Sequence, residues 1–386
     1  MKTKRILIGL VFLGLSPVMA GESWLPRESV RLWQDIASSD DGNRLVAVVS
    51  GGQIYTSQDS GTNWTPRDSN RDWVAVASSA DGTRLVAAAT IDSKRGSVFT
   101  SSDAGVTWLE RSSLMSAVTD VACSSDGAKL VVSRDSYPLQ TSSDGGANWT
   151  ARETARGWCC VASSGNGQML TACVYGDRIF ASTNAGVTWG SFPVTGTWSS
   201  VSCSLSGSRV VAGDQFGTAG TFTGPIWTGS LSSRAPFWTW TPHQVGEWEG
   251  VAYASDGTRL AACCGDDHVF TSDDHGGTWT PHETHRQWRS VALSADGTKL
   301  AACVWNGQIY TGIVPGLPAS LSIRLGSAGT VILSWPYPSD GYSLMQTHSL
   351  NATGWTAVTD TPEQVDSEWQ VTVLAAGQRF YRLSTD

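Results

Sequence analysis

The sequence predicts an all-β protein that is built from a repeat of about forty residues. Two markers alternate along most of the chain: a turn of the pattern Ser-x-Asp-x-Gly-x-x-Trp, and a segment of the pattern Trp-x-x-Val/Ile-Ala that precedes an Asp-Gly turn. No helical periodicity interrupts them. A chain with these features is expected to form many short antiparallel strands.

The first marker is a turn in which each residue type has a local role. A short Asp side chain accepts hydrogen bonds from backbone N–H groups within a tight turn. The glycine supplies a positive φ, and the tryptophan anchors the following strand through its large apolar area. We therefore assign a structural role to the residue at the Asp position of each copy: Asp59, Asp103, Asp144, Asn184 and Asp274.

The second marker occurs seven times, once in each repeat. Its copies begin at Trp33, Trp73, Val118, Trp158, Trp198, Trp248 and Trp288. Trp33 and Trp73 lie 40 residues apart, as do most neighbouring pairs, and this is the period of a four-stranded β-propeller blade. Strands A to D of the first repeat are predicted at Trp33–Ser38, Arg44–Val49, Gln53–Ser57 and Asn63–Arg67. The sequence therefore predicts a seven-bladed β-propeller.

The two ends of the repeat region complement each other. The seventh repeat stops after Gln308–Thr311 and so lacks a fourth strand. Trp24–Ser29 matches Trp64–Ser69, which belongs to the fourth strand of the first repeat, almost residue for residue. We expect the N-terminal strand to close the propeller by pairing with the seventh repeat, because this removes an open sheet edge.

The remaining segments flank the repeats. Residues 1–20 have the basic start, short apolar run and small-residue exit of a secretory signal peptide, with cleavage expected after Ala20. The propeller is assigned to 21–314, a turn-rich linker to 315–319, and a small C-terminal β-sandwich-like domain to 320–386, where short alternating strands recur. We expect a secreted or periplasmic protein.

Composition narrows the functional classes. The 26 Lys and Arg residues against 34 Asp and Glu residues give a net charge of −8, which argues against nucleic-acid binding. No apolar run reaches membrane-spanning length. The eight cysteines recur at strand positions and are predicted to be small buried residues rather than zinc ligands. We expect no metal, no cofactor and a monomeric chain.

The repeated turn resembles the Asp-box (BNR) motif of sialidase-like propellers, sortilin-type propellers and the photosystem II assembly-factor family. The resemblance implies a propeller whose boxes are structural, and it implies little about function. The assembly-factor family fits best in blade number and export and shares an arginine patch, but this chain lacks a lipidation cysteine and adds a C-terminal module. That module, through motifs such as Leu333-Ser334-Trp335-Pro336, resembles C-terminal modules of large exported bacterial proteins.

The resemblance to sialidases leaves an enzymatic alternative open. Sialidases use an arginine cluster for the substrate carboxylate, a Tyr/Glu nucleophile and an Asp acid. Their Phe/Tyr-Arg-Ile-Pro motif is absent, and Trp24-Leu25-Pro26-Arg27 is a poor substitute for it. Candidate carboxylates exist at Asp177, Glu247, Glu249 and Asp266, but their sequence positions do not establish the paired geometry of glycoside hydrolysis. We assign no catalytic residue.

The two faces of the predicted propeller differ in sequence. The A–B and C–D turns lie on one face and are uniform, whereas the B–C loops and D–A crossings lie on the other and are irregular. Recognition on repeat scaffolds is usually built where the repeats vary. The candidate binding residues in the B–C loops are Tyr175, Asp177, Asp266, His268 and Trp305.

The D–A crossings add a row of arginines, each two residues before the strand-A tryptophan: Arg31, Arg71, Arg156 and Arg286. Arginine suits bidentate capture of carboxylate or phosphate, so we predict that this row, near the channel rim, binds an anionic group. The alternative is that each arginine pairs locally with Glu28, Asp72, Glu153 or a similar residue.

The sequence therefore favours an exported, non-enzymatic binding or scaffold propeller that recognises a protein or glycan partner on its irregular face. Two alternatives stay open. One is a glycoside hydrolase of sialidase-like type, and the other is a purely structural repeat protein of an envelope or matrix.

Overall fold

The computed structural model describes residues 9–10, 24–92, 95–114, 117–216, 223–231, 238–314, 321–325, 330–336, 342–348, 355–365, 368–374 and 379–385. The chain divides into two compact units, one of Glu22–Val314 and one of Met1–Gly21 with Pro315–Asp386. The predicted linker, and the predicted signal peptide apart from Gly9–Leu10, lie outside the described residues. No helix long and apolar enough to cross a membrane occurs in the described ranges.

The first unit, the repeat region, consists of antiparallel strands that pair with their neighbours in chain order. Their bounds are Leu25–Ser38, Leu45–Val49, Gly52–Ser57, Thr65–Ser78, Leu85–Asp92, Arg95–Ser101, Leu109–Leu114, Val118–Cys123, Leu130–Ser142, Thr150–Ser163, Leu170–Val174, Asp177–Ser182, Gly190–Gly196, Trp198–Cys203, Arg209–Asp214, Gly224–Leu231, Trp238–Gly246, Trp248–Tyr253, Leu260–Cys264, Asp267–Ser272, Thr280–Arg286, Trp288–Leu293 and Lys299–Ile313.

Strand D of one repeat (the outer strand) and strand A of the next (the inner strand) form one continuous strand in three places. The sequence predicts two separate strands at each of them. Thr65–Ser78, for example, contains strand D of the first repeat and strand A of the second. A bulge between Arg67 and Arg71 bends it, and Asp68 within this bulge has a φ of 50°. The equivalent residues of three other crossings also have positive φ: Glu28, Glu153 and Glu283.

The first strand of the repeat region completes the seventh repeat. Leu25–Ser38 pairs antiparallel with Lys299–Ile313, and Leu25 lies opposite Thr311. Arg27 adds a side-chain contact, because its Nε donates to Thr311 Oγ1 at 2.9 Å. The pairing predicted from the match between the two ends of the repeat region is therefore present.

Apolar clusters fill the spaces between neighbouring repeats. Trp33, for example, packs edge-on against Tyr55 with ring centroids 5.2 Å apart, in a cluster that also holds Cys303 and Ile309 of the seventh repeat. The tryptophans that open strand A are almost fully buried in this way: Trp33, Trp73, Trp158, Trp198, Trp248 and Trp288. Burial of such large apolar area is the main stabilising contribution to the contact between sheets.

The A–B turns are joined around the ring by backbone hydrogen bonds. Asp40 N donates to the carbonyl of Ala80 at 2.7 Å, and Ala80 N donates to the carbonyl of Ser125 at 2.8 Å. The series continues through Gly165, Leu205, Ser255 with Asp256, and Ala295. Ala295 N then donates to the carbonyl of Asp40 at 2.7 Å, so the series returns to its first turn.

The second unit contains two small sheets within its described residues. One sheet consists of Ser322–Leu325, Thr330–Pro336, Glu368–Leu374 and Glu363–Val365, and the other of Gly9–Leu10, Phe380–Thr385, Tyr342–Thr347 and Thr356–Ala357. One buried apolar cluster draws on both sheets, and it includes Val331, Leu333, Trp335, Leu344, Val371, Val373 and Tyr381.

Replacing Trp24 with alanine should destabilise the repeat region. The Trp24 ring lies 6.4 Å from Trp288, as the Trp64 ring lies 6.4 Å from Trp33. We expect the free energy of unfolding to fall by about 2 kcal/mol, less than for a fully buried tryptophan, because the ring is partly buried. Denaturant unfolding followed by circular dichroism measures the change.

Trp64→Ala is the matched control, because it removes the equivalent ring from the first repeat. We expect the two variants to lose similar stability. A normal unfolding curve for Trp24→Ala beside a destabilised Trp64→Ala would mean that the N-terminal strand does not support the ring.

Candidate functional site

Backbone hydrogen bonds show which loops share a face. In five repeats the B–C loop donates to the preceding D–A crossing, as Ser50 N does to the carbonyl of Leu32 at 2.9 Å and Trp305 N does to that of Gln287 at 2.8 Å. The Asp-position turns instead contact the A–B turns, as Ser60 N does with the carbonyl of Asn43 at 2.9 Å. We call the surface formed by the B–C loops and D–A crossings the loop face, and the opposite surface the turn face.

The turn face is uniform in its chemistry. Asp103 accepts the N–H of Thr107 at 2.9 Å and the hydroxyl of Ser101 at 2.8 Å, and hydrogen bonds from Thr107 and Ser101 lower the pKa of Asp103 to about 2. Asn184 uses its Oδ1 in the same way. The same contacts recur at Asp59, Asp144 and Asp274. These side chains are occupied in holding turns.

A bulge directly after the strand-A tryptophan turns one side chain of most repeats toward the centre of the ring. In the first repeat Trp33 pairs with Val49 and Asp35 pairs with Val48, which leaves Gln34 out of the ladder. Residues at this position line one cavity of about 230 Å³, the central channel: Gln34, Val74, Thr119, Cys159, Ser199, Glu249 and Arg289.

Two partly buried carboxylates in the channel, Asp35 and Asp120, bridge neighbouring repeats. Asp35 accepts the N–H of Val76 at 2.8 Å and the hydroxyl of Ser290 at 2.7 Å. Asp120 accepts the N–H of Val161 at 2.9 Å. Strand A forms its ladder with strand B of its own repeat, so backbone N–H groups that face the next repeat need side-chain partners of this kind.

Burial dominates the protonation of both channel carboxyl groups. It raises the pKa of Asp120 to about 8, with the nearby charge of Asp35 adding to the shift. Burial also raises the pKa of Asp35, although the hydrogen bond from Ser290 opposes this. Both groups therefore hold a proton more readily in the folded protein than in the unfolded chain.

A second cavity, of about 320 Å³, opens on the loop face and shares residues with the central channel. We call it the channel mouth. Its lining combines inner-strand and D–A crossing residues with residues of B–C loops: Gln34, Glu247, Glu249, Gly265, Asp266, Gln287, Trp288, Arg289 and Trp305. The cavity is therefore the place where the channel meets the irregular loops.

An ion pair crosses the channel mouth. Arg289 Nη1 lies 2.5 Å from Glu249 Oε2. Arg289 Nε also donates to Gln34 Oε1 at 3.2 Å, and Gln215 Nε2 donates to Glu249 Oε1 at 2.6 Å. Burial raises the pKa of Glu249, and the charge of Arg289 opposes the shift. Both side chains are thus held in place by neutral amides.

The lining of the mouth is negatively charged. It contains three carboxylates, Glu247, Glu249 and Asp266, and one guanidinium, that of Arg289. The guanidinium pairs with Glu249. Two carboxylates remain to attract a positive charge, that of Glu247, which is partly buried, and that of Asp266, which is exposed.

The structure places the predicted loop residues in separate positions. Asp266 and Trp305 line the channel mouth. Tyr175, which is 57% exposed, and Asp177 lie in the B–C region of the fourth repeat and do not line it. His268 contacts Asp267 in the sixth repeat.

The sequence carries a weak signal for the other mouth residues. Gln34, Glu249 and Arg289 each directly follow a strand-A tryptophan, so they share one repeat position. If side chains alternated strictly along strand A, the residue after the tryptophan would point to one fixed face of the sheet. The bulge after the tryptophan instead directs the side chain of this residue into the channel. Only the repeat position, and not the side-chain direction, could be read from the sequence.

Each predicted arginine contacts a carboxylate three residues earlier and an aromatic ring of strand C. Arg31 lies 3.2 Å from Glu28, and its Cζ lies 4.5 Å from the centre of the Tyr55 ring. The other three pairs are Arg71 with Asp68 and Phe99, Arg156 with Glu153 and Phe180, and Arg286 with Glu283 and Tyr310. These contacts match the local alternative, with Asp68 in place of Asp72.

The arginine row does not line the channel mouth or the central channel. About a third of each arginine side chain is exposed, 34% for Arg31 and 36% for Arg71. Capture of an anionic group by these exposed parts stays a prediction.

The raised pKa of Asp120 should make stability depend on pH. Its folded pKa of about 8 exceeds the value of 3.8 for an ordinary aspartate, so the folded state keeps a proton that the unfolded chain releases in this interval. The contribution is fully present below about pH 4 and is lost as the pH rises to about 8. We expect the free energy of unfolding of the wild type, relative to Asp120→Asn, to fall by up to about 1.4 kcal/mol per pH unit.

Denaturant unfolding of both proteins at a series of pH values tests this. The comparison with Asp120→Asn cancels the titration of all other groups that the substitution leaves unchanged. A constant difference between the two proteins across pH 5 to about 8 would contradict the buried protonation.

Comparisons with solved structures identify the fold of the repeat region. The chain is similar to YCF48 bound to D1 peptide (14% identity, TM-score 0.57, covering 76% of this chain and 97% of that one). It is similar to YCF48 from Cyanidioschyzon merolae (17% identity, TM-score 0.55, 76% and 98% covered). It is also similar to the Cps50 (Swd1) β-propeller domain from Myceliophteria thermophila (12% identity, TM-score 0.57, 75% and 99% covered).

No protein-family model matches the sequence. No curated protein matches it. The resemblance of the repeated turn to the Asp box stays a prediction from the sequence. The structural similarities, together with the all-β ring described above, make this chain a β-propeller.

Proposed function

We propose that this protein is an exported, non-enzymatic, seven-bladed propeller with a C-terminal β-sandwich-like module, and that it binds a segment of a protein partner on its loop face. The channel mouth takes a lysine or arginine side chain of that segment. The observation that carries the proposal is the charge of the mouth, where Glu247 and Asp266 add two carboxylates to the ion pair of Glu249 with Arg289.

The charge of the mouth favours a cationic group over the anionic group predicted for the arginine row. A carboxylate or phosphate entering the mouth would meet three carboxylates and a guanidinium that already pairs with Glu249. A positively charged side chain would gain from the same field, and its attraction is stronger where water is partly excluded.

Exposed apolar side chains on the loop face favour a protein over a glycan. Six large apolar residues of the B–C loops and D–A crossings are exposed: Val30, Leu32, Ile91, Tyr137, Tyr175 and Val245. Such residues suit the apolar and aromatic side chains of a peptide segment. The peptide present in the similar YCF48 structure agrees with this choice, although at 14% identity that similarity carries the fold alone.

Selection from a random-peptide display library with the full chain as bait tests the proposal. We expect enriched peptides to carry Lys or Arg beside aromatic or aliphatic residues. A synthetic copy of an enriched peptide should bind the Glu247→Gln, Asp266→Asn double variant about tenfold or more weakly in fluorescence anisotropy, because the attracting charges are gone. Added salt should weaken binding to the wild type.

The matched control removes two exposed carboxylates elsewhere, through Asp360→Asn with Glu363→Gln in the second unit. This variant should bind like the wild type. Equal affinity of the Glu247→Gln, Asp266→Asn variant would contradict the proposal, as would enrichment of peptides without a basic residue. Acidic peptides whose binding is lost in Arg71→Ala would instead support the arginine row.

A further inference from the structure

We propose that the sixth repeat carries a binding site for a transition-metal ion of the zinc class, formed by Asp267, His268 and His285. The site lies on the loop face, where strand C begins and strand D ends. It does not depend on the proposed peptide binding, because the three side chains that form it do not line the channel mouth.

The three side chains converge on one point. His268 Nδ1 lies 2.5 Å from Asp267 Oδ1, and His285 Nδ1 lies 3.6 Å from the same oxygen. One ligand atom from each residue lies within 4.8 Å of the other two. The two imidazole rings lie side by side, with centroids 4.4 Å apart and an interplanar angle of 65°.

A backbone oxygen lies beside one of the three side chains. The carbonyl oxygen of Asp266 lies 3.1 Å from His285 Nδ1. In a tetrahedral zinc site with bonds of about 2.0–2.2 Å, neighbouring ligand atoms lie about 3.4 Å apart. The separations of 3.1 and 3.6 Å lie close to this value, whereas the 2.5 Å contact between His268 and Asp267 must lengthen before both can bind one ion.

The donor set selects the class of metal. Two imidazole nitrogens suit Zn²⁺, Cu²⁺, Ni²⁺ or Co²⁺, whereas Mg²⁺ and Ca²⁺ prefer oxygen ligands alone. His285 would coordinate through Nδ1 as the tautomer that carries its proton on Nε2, so that Nδ1 exchanges its hydrogen bond to the Asp266 carbonyl for the metal.

The fold brings these residues together through a bulge. Asp267 pairs with Arg286, and the register shifts between Asp267 and Val269. Glu283, which has a φ of 63°, lies in the bulged part of strand D that leads to His285. This geometry recurs at other crossings, but the side chains do not: the equivalents of His268 are Gln53, Arg178 and Gln308, and those of His285 are Val30, Asn70 and Ala155.

The surroundings favour a cation. A side-chain carbon built on Gly265 would lie 3.5 Å from Glu249 Cγ and 3.8 Å from Glu247 Cδ, so two further carboxylates stand beside the loop. The nearby cations are occupied, since Arg286 pairs with Glu283 and Arg289 pairs with Glu249. A divalent ion would therefore offset local negative charge at this part of the loop face.

Isothermal titration of the untagged full chain with ZnCl₂ near neutral pH tests the proposal. We expect one Zn²⁺ per chain in the wild type. His285→Ala should weaken binding by at least about a hundredfold, since even indirect partners of a metal change affinity by up to that factor. The His285 side chain is 71% exposed, so its removal should leave the metal-free melting curve unchanged.

His348→Ala is the matched control, because it removes an exposed imidazole from the second unit. It should bind Zn²⁺ like the wild type. Co²⁺ gives an independent readout, because tetrahedral coordination by nitrogen and oxygen intensifies its visible absorption, which His268→Ala should abolish.

Two results would overturn the assignment. One is the absence of a stoichiometric Zn²⁺ site in the wild type, which would leave the cluster as a set of hydrogen bonds. The other is equal affinity of His285→Ala and the wild type, which would place any bound zinc elsewhere. Neither result would bear on peptide binding at the channel mouth.

Discussion

The closed series of backbone hydrogen bonds between A–B turns is the constraint on which the rest of the structure depends. Each turn donates to the next, and the turn at Ala295 donates to the one at Asp40. A closed ring fixes the number of repeats and the tilt of each inner strand, because no strand can shift without breaking contacts on both sides. Pairing of Leu25–Ser38 with Lys299–Ile313 closes the ring a second time, through a sheet. Two separate sets of contacts therefore close the ring.

In a ring of this kind, polar backbone groups near the centre need hydrogen-bond partners. Inner strands of neighbouring repeats approach one another without a shared ladder of their own, so some backbone N–H groups need side-chain acceptors. Asp35, Asp120 and Ser200 supply them, to Val76, Val161 and Val251 respectively. A buried carboxylate is costly when it is charged, but an unpaired buried N–H group is costly as well. Asp120 provides an acceptor for the N–H group of Val161, but its carboxyl group is then removed from water, and this raises its pKa.

Much of the scaffold could be predicted from the sequence because its signals are local. The hydrogen bonds around Asp103 span four residues, and the hairpin turns and strand periods are equally short. Closure could also be predicted, because one missing strand was matched by one extra strand. The buried positions of Cys173, Cys263 and Cys303 followed from their place in the repeat. The prediction of burial was wrong for Cys123, Cys159 and Cys203, which are only partly buried.

Glu247, Glu249, Asp266 and Trp305 were candidate residues from the sequence, but their assembly into the channel mouth could not be predicted, for two physical reasons. First, the bulges after Trp33 and within the D–A crossings change the direction of single side chains, and a residue pattern of period two does not register such a change. Second, the ring joins distant parts of the chain. Gln34 and Arg289 are separated by 255 positions, yet they share a hydrogen bond of 3.2 Å.

Equivalent residues of different repeats can be compared, and the comparison shows what a residue contributes when its role is purely structural. In the first repeat Gln53 Nε2 donates to the carbonyl of Asp68 at 2.8 Å, and in the seventh Gln308 Nε2 donates to that of Glu28 at 2.8 Å. Both contacts support the residue with positive φ at the crossing. The sixth repeat has His268 at this position, and its ring turns to Asp267.

An imidazole directed at a carboxylate does not support the bulge as the glutamine amide does. The sixth repeat thus departs from the structural solution found at two other crossings, although its own residue Glu283 has the same positive φ of 63°. A fold that forms the same bulge with and without the amide contact does not require a histidine there. The proposed metal site would give the identity of His268 a reason that the ring itself does not supply.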